Sequence, residues 1–270
     1  MAKQPGAGAL AADLLASLDA AALCHKVKMT PDPWQLAVLR STSRRLHLTC
    51  GRQVGKSTVA AVLAVWTAAY TPGSLVLMVA PTLRQSQLLF FSGLSLYKQL
   101  GRPVVAEVEN QTSLALENGS RIVSVPGSEQ TIRGFSAVDL LILDEAARIT
   151  DDTMVAVMPM VAVSGGRILA ASTPWGRRGW FWEASKDPAW ETVTIRADQC
   201  PRWPRAELDE WRQARGDFVF RQELMCEFLD ASGQYFATED VDFAFEAGEA
   251  LDMLPLFGGP ALSLLSGGIA

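Results

Sequence analysis

The chain has 270 residues, 49% of them apolar, with 24 basic and 29 acidic side chains and a net charge of −5. That apolar content supports a real core, which excludes an intrinsically disordered chain, a collagen-like fibre and a small disulfide-stapled fold. Nine acids and no Lys or Arg follow Arg221, leaving 20 acids against 24 bases in residues 1–222, a body far less basic than a dedicated duplex-binding domain.

Taken in chain order, the Ala/Leu-rich segment 10–23 is interrupted by Asp13 and Asp19, which predicts a short amphipathic helix and no secretory core. The four cysteines, Cys24, Cys50, Cys200 and Cys226, are widely spaced, and His25 and His47 are the only histidines. Neither a zinc site nor a disulfide framework is expected, and a reducing, cytoplasmic setting is. From Leu46 onward, short aliphatic runs alternate with longer helical ones. Buried strands are predicted at 46–50, 75–80, 140–143 and 168–172, with helices at 57–70, 83–100 and 151–163, the pattern of an α/β fold with a mostly parallel sheet. The stretch 104–125 departs from it, because Asn118-Gly119 separates two strand-like runs and predicts an antiparallel hairpin. Helices are expected at 205–213 and 218–227, and a linker beyond Asp230. The long uncharged runs 57–82 and 253–270 contain Pro72-Gly73 and Pro255, Pro260 and several glycines respectively, so no membrane span is expected.

Three strand ends carry chemistry. The strand ending at Cys50 runs into Gly51-Arg52-Gln53-Val54-Gly55-Lys56-Ser57-Thr58 and then a helix-prone run, the context of a phosphate-binding loop. Lys56 would reach the β and γ phosphates of ATP, and the Ser57 hydroxyl would ligate Mg²⁺. The common form of this loop has its first glycine where Cys50 stands; Gly51 comes one place late. Some ninety residues on, the apolar strand 140–143 ends in Asp144-Glu145, the form of a Walker B segment. Asp144 suits the Mg²⁺ shell and Glu145 the polarising of an attacking water, an arrangement that marks hydrolysis rather than nucleotide phosphorylation. A third strand ends in Ser172-Thr173-Pro174, placed to sense the γ-phosphate through either hydroxyl.

The order Pro33-Trp34-Gln35, Gly-Arg-Gln-x-Gly-Lys-Ser, Ile132-Arg133-Gly134-Phe135, Asp-Glu and Ser-Thr-Pro resembles the ATPase motor domain of phage large terminase subunits. The resemblance covers about 31–230. It implies a P-loop NTPase of the additional-strand, catalytic-glutamate type, with 1–30 as a helical extension and 231–270 as a tail leading toward an absent nuclease domain. In that family the Arg-Gln within the loop is usual, so the shifted glycine fits. The resemblance further implies that Gln35 recognises adenine and that Arg52 contacts the γ-phosphate within its own subunit. It implies too that Arg133 is presented to a neighbour's nucleotide, and that Thr173 couples cleavage to movement. A loop arginine paired with a nearby acid stands open as the alternative for Arg133. The implied partners are double-stranded DNA, a capsid portal protein, a small terminase subunit and further copies in a ring. Arg177, Arg178 and Lys186, interleaved with Trp175, Trp180, Phe181 and Trp182, read either as a DNA- or subunit-facing surface or as a packed tryptophan cluster. Large terminases normally continue into a nuclease domain; no DNA cleavage is expected of this chain. A helicase-like translocase and a nucleotide-binding remnant or assembly module are the alternative functions.

Overall fold

The structure is a computed structural model and describes residues 7–230; the expected linker at 231–270 lies outside the described residues. Two short helices, α1 (Ala7–Leu18) and α2 (Ala21–Lys26), replace the single helix expected at 10–23. The break comes at Asp19, whose carboxylate accepts a 2.9 Å hydrogen bond from the Ala21 N–H, satisfying a donor that a continuous helix would have used internally. The pair packs onto the next long helix: Ala16, Ala20, Ala21, Leu23 and Cys24 are buried, and the Trp66 indole donates to the Ala16 carbonyl at 2.8 Å.

Helix α3 (Pro33–Arg40) starts with Pro at its first turn, where a missing N–H costs nothing, and precedes β1 (Arg45–Cys50) and α4 (Lys56–Tyr70). Next come β2 (Leu75–Ala80) and α5 (Leu83–Gln99), then β3 (Ala106–Glu109), β4 (Ser113–Leu116) and β5 (Arg121–Pro126). The short α6 (Glu129–Ile132), β6 (Leu140–Asp144), α7 (Asp151–Ser164) and β7 (Arg167–Ser172) follow. The described chain closes with α8 (Gly179–Lys186), β8 (Glu191–Ile195), α9 (Arg205–Arg215) and α10 (Asp217–Glu223). The last helix stops four residues before the expected 227 because the chain turns there to hand the Leu224 carbonyl to the Ala197 N–H at 2.8 Å.

Among the described residues eight strands form one sheet in the order β3-β4-β5-β2-β6-β7-β1-β8. From β5 to β8 every neighbour is parallel; β3, β4 and β5 are antiparallel, with the expected Asn-Gly turn between β4 and β5. Strand β7 lies between β1 and β6, so the phosphate-loop strand and the Asp-Glu strand are separated by one additional strand. Alternate residues of the central strands face opposite ways, as the pleat requires. Leu46, Leu48, Met78, Ile142 and Leu169 pack under α4 and α5, while Leu77, Val79, Leu141, Leu143 and Ala170 pack with Val157, Val161 and Phe181 of α7 and α8. Both faces are therefore covered, which explains why these strands read as unbroken apolar runs. Among the described residues no helix is long and apolar enough to cross a membrane.

Candidate active site

Because β1, β6 and β7 are parallel, their three C-terminal ends emerge at one edge of the sheet, the edge where open α/β sheets bind ligands. The register sets Asp144 beside Ala171 and Thr49 beside Ser172. The three motifs, ninety or more residues apart at their extremes, thus converge without any long-range help from loops.

The loop after β1 is bent by Gln53 (φ 58°) and Gly55 (φ 98°), both in the left-handed region. The positive φ favours glycine at 55, and a Cβ there would lie 2.7 Å from Gln35 Nε2, so the end of the Gln35 side chain would have to shift. Helix α4 starts immediately after Gly55 and has no acid in its first turn. Its leading N–H groups and positive dipole end face the edge, a ready anion site. Gln35, Gln53, Gly55, Lys56, Ser57 and Thr58 line a cleft of ≈ 430 Å³ together with Met29, Thr30 and Arg202.

Opposite the loop, Lys56 Nζ lies 3.2 Å from Asp144 and also donates to Glu145. Burial opposes the charge of Lys56, but the attraction of Asp144 and Glu145 outweighs it and raises the lysine above its ordinary pKa. Glu145 itself has φ 48°, a conformation costly for a side chain with Cβ and typical of functional sites. An ammonium drawn onto these two carboxylates shows that the pair attracts a cation. Ser57 follows Lys56 directly in the first turn of α4, and a hydroxyl with two carboxylates is an oxygen donor set of the kind that suits Mg²⁺. On β7, the Ser172 hydroxyl is fully buried with no hydrogen-bond partner among the described residues, and Thr173 beside it is buried. Cys50, beneath the loop, is buried, and that burial pushes its thiol up, so it is inert packing.

The remaining expected site residues are placed less directly. Gln35 is buried, and its amide is engaged twice: Oε1 accepts from the Asp32 N–H at 2.8 Å and Nε2 donates to the Gly55 carbonyl at 3.2 Å. Arg52 points away from the cleft, donating to Glu223 of α10 at 2.5 Å. Gly51 and Val54 are buried under the loop. A Cβ on Gly51 would come within 2.8 Å of the Leu224 carbonyl, so this glycine serves the close approach of the C-terminal segment. Arg133 is exposed just beyond α6 and stands outside the cleft lining. The Trp/Arg segment is mostly packed: Phe181 is buried and the Trp180 indole donates to the Ile149 carbonyl at 2.8 Å. Trp175 is 40% exposed, with the Arg148 guanidinium stacked 3.9 Å above it.

Two residues at the site carry no sequence signal. Arg202, within Pro-Arg-Trp-Pro, donates to Asp32 at 2.5 Å and to the Val54 carbonyl. Glu223 holds Arg52 with its carboxylate, and its carbonyl accepts from the Arg52 N–H at 2.9 Å. Only the fold, which lays 195–224 over the loop, reveals them.

A family model described as the N-terminal part of the terminase large subunit, T4likevirus type, matches residues 48–243. The terminase large subunits of Thermus virus P23-45 and Thermus phage G20c are each 31% identical, over 78% of this chain and 51% of theirs. The chain therefore spans about half the length of the curated relatives it matches. Among solved structures, the large terminase ATPase domain of Thermus phage P74-26 superposes with a TM-score of 0.70 at 25% identity, covering 76% of this chain and 97% of that one. The large terminase of a thermophilic bacteriophage, at 13% identity and a TM-score of 0.63 over 74% of this chain and 54% of that one, shares the fold.

Proposed function

The chain belongs to the terminase large subunit family, in the part its N-terminal domain model describes, and from that premise we propose that it hydrolyses ATP to drive double-stranded DNA into a phage capsid. The observation that carries this reading is the meeting of Lys56 with Asp144 and Glu145 at the edge where the phosphate loop opens. The relatives support it: the P74-26 protein is described as an ATPase domain, and the thermophilic bacteriophage terminase that shares the fold has been seen with ADP and with ATP-γ-S.

In this reading the loop from Gly51 to Thr58 binds the phosphates through its N–H groups, and Lys56 leaves the carboxylates for the β and γ phosphates. Ser57 and Asp144 would hold magnesium, which when bound neutralises phosphate charge. Glu145, released from Lys56, orients the attacking water and accepts its proton. Arg52 exchanges Glu223 for the γ-phosphate, and Thr173 with Ser172 senses its loss at the end of β7. Arg133, presented to a neighbouring copy, supplies the remaining transition-state charge, a role worth roughly 10³–10⁵ in rate in related phosphoryl-transfer sites. Gln35 sets the nucleotide end of the cleft. The partners are DNA, a portal ring, a small terminase subunit and further copies of the chain, in the host cytoplasm; residues 31–230 act as the motor, with 1–30 and 231–270 flanking it. No nuclease activity is assigned to these residues.

The test is steady-state ATP hydrolysis over a protein-concentration series, with and without duplex DNA. Turnover per subunit that rises with concentration, and loses that rise in Arg133→Ala, is expected of sites completed by a neighbour. Turnover that is independent of concentration in both proteins contradicts the ring.

A further inference from the structure

The cleft lining falls into two groups of different chemistry. Lys56, Ser57 and Thr58, at the start of α4, suit phosphate; Met29, Thr30, Gln35 and Arg202 make up the second group, and Gln53 and Gly55, at the bend of the loop, complete the lining. Of that second group Gln35 has an amide oxygen and an amide N–H already committed to Asp32 and Gly55. Arg202 is differently situated. One of its terminal nitrogens, Nη2, donates both to the Asp32 carboxylate and to the Val54 carbonyl, so the guanidinium is fixed in orientation, yet its side chain is still 46% exposed. The same nitrogen lies 3.2 Å from where a Cβ on Gly55 would stand, which puts the planar group directly against the bend of the loop. A guanidinium anchored by one edge offers a face, and a flat, weakly hydrated cation is the side chain best suited to stack on an aromatic ring.

We infer that Arg202 is a nucleobase-stacking residue of this site, presenting its guanidinium face to the base beside Gln35 while Asp32 and Val54 hold it in place. The inference deepens the nucleotide-binding reading and rests on it. Asp32 is a positioning residue in this scheme: it stands at the N-cap of α3, donates its N–H to Gln35 Oε1, and fixes Arg202 through its carboxylate. The second group is thereby built from two segments about 170 residues apart that meet only when 195–224 lies over the loop.

The test compares two ligands, ADP and inorganic tripolyphosphate, each with magnesium, titrated calorimetrically into the wild-type chain, Arg202→Ala and Arg202→Lys. Arg202→Ala is expected to weaken ADP about tenfold, the size of a desolvated cation–π contact, and to leave tripolyphosphate within about twofold. Arg202→Lys keeps the charge and the reach to Asp32 but not the plane. It is expected to lose ADP affinity similarly while unfolding at the wild-type temperature, so it decides the matter if the alanine variant folds poorly. Equal weakening of both ligands would overturn the inference in favour of a loop-holding role for Arg202, and so would full ADP affinity in either variant. A wild-type chain that binds neither ligand would instead defeat the nucleotide reading on which the inference stands.

Discussion

Gly55 stands where backbone geometry and the packing of the cleft make the same demand. Its φ of 98° costs an L-residue about 1–2 kcal/mol, and an added Cβ, 2.7 Å from Gln35 Nε2 and 3.2 Å from Arg202 Nη2, would displace the ends of both side chains. Gly55→Ala should therefore lower the urea midpoint and weaken ADP binding together; an alanine variant with wild-type stability and affinity would contradict this account of the bend. The placement of Lys56, Ser57, Asp144 and Glu145 at strand ends of one sheet edge was legible in the sequence because each belongs to a short run with its own local pattern. Arg202 and Glu223 were not, since their partners lie 148 and 171 residues away and their own neighbours give no sign of them. Arg52 illustrates the same limit. Its position in the loop was readable, but the contact it makes, with Glu223 of α10, depends on where a distant helix comes to rest.

At the scale of elements, β1 is held by an unusual buried residue. His47 lies on its inner face, stacked 4.0 Å from the Phe181 ring, and its Nε2 donates to the Phe181 carbonyl at 2.9 Å. Burial lowers its pKa from the ordinary 6.5 to about 4, so the fold holds it neutral. Above pH 6.5 folded and unfolded chains are alike in this group. As the pH falls from 6.5 toward 4 the unfolded chain takes up a proton that the folded one refuses, at a cost approaching about 3 kcal/mol. The stability advantage of wild type over His47→Gln in urea unfolding should therefore shrink steadily between pH 7 and 4.5; a constant difference across that range would contradict the neutral, buried assignment. The apolar strands β1, β2, β6 and β7 were plain in the sequence because both sheet faces are covered. Strand β8 was missed: only Ile195 of it is buried, and as an edge strand it hides in a polar stretch. The split between α1 and α2 was missed because a single carboxylate contact from Asp19 makes it.

For the molecule as a whole, the α/β class and the antiparallel hairpin followed from periodicity, but the strand order did not, since no local pattern records which parallel strand lies beside which. That order matters, because placing β7 between β1 and β6 puts Ser172 and Thr173 between the phosphate loop and Asp144-Glu145. The segment 195–224 then closes over the loop through Gly51 N–H to the Ile195 carbonyl at 2.8 Å and Arg52 N–H to the Glu223 carbonyl at 2.9 Å. Loop, carboxylates and the 195–224 segment thus form one connected assembly, joined by Lys56 to Asp144 and Glu145 and by Arg52 to Glu223. If this assembly turns over ATP with Glu145 as the group that activates water, the most direct test is ATP binding and single-turnover hydrolysis by Glu145→Gln beside the wild-type chain. The variant should bind ATP as tightly as wild type, or more tightly, and lose hydrolysis by about a hundredfold or more. Hydrolysis at the wild-type rate in Glu145→Gln would contradict that role.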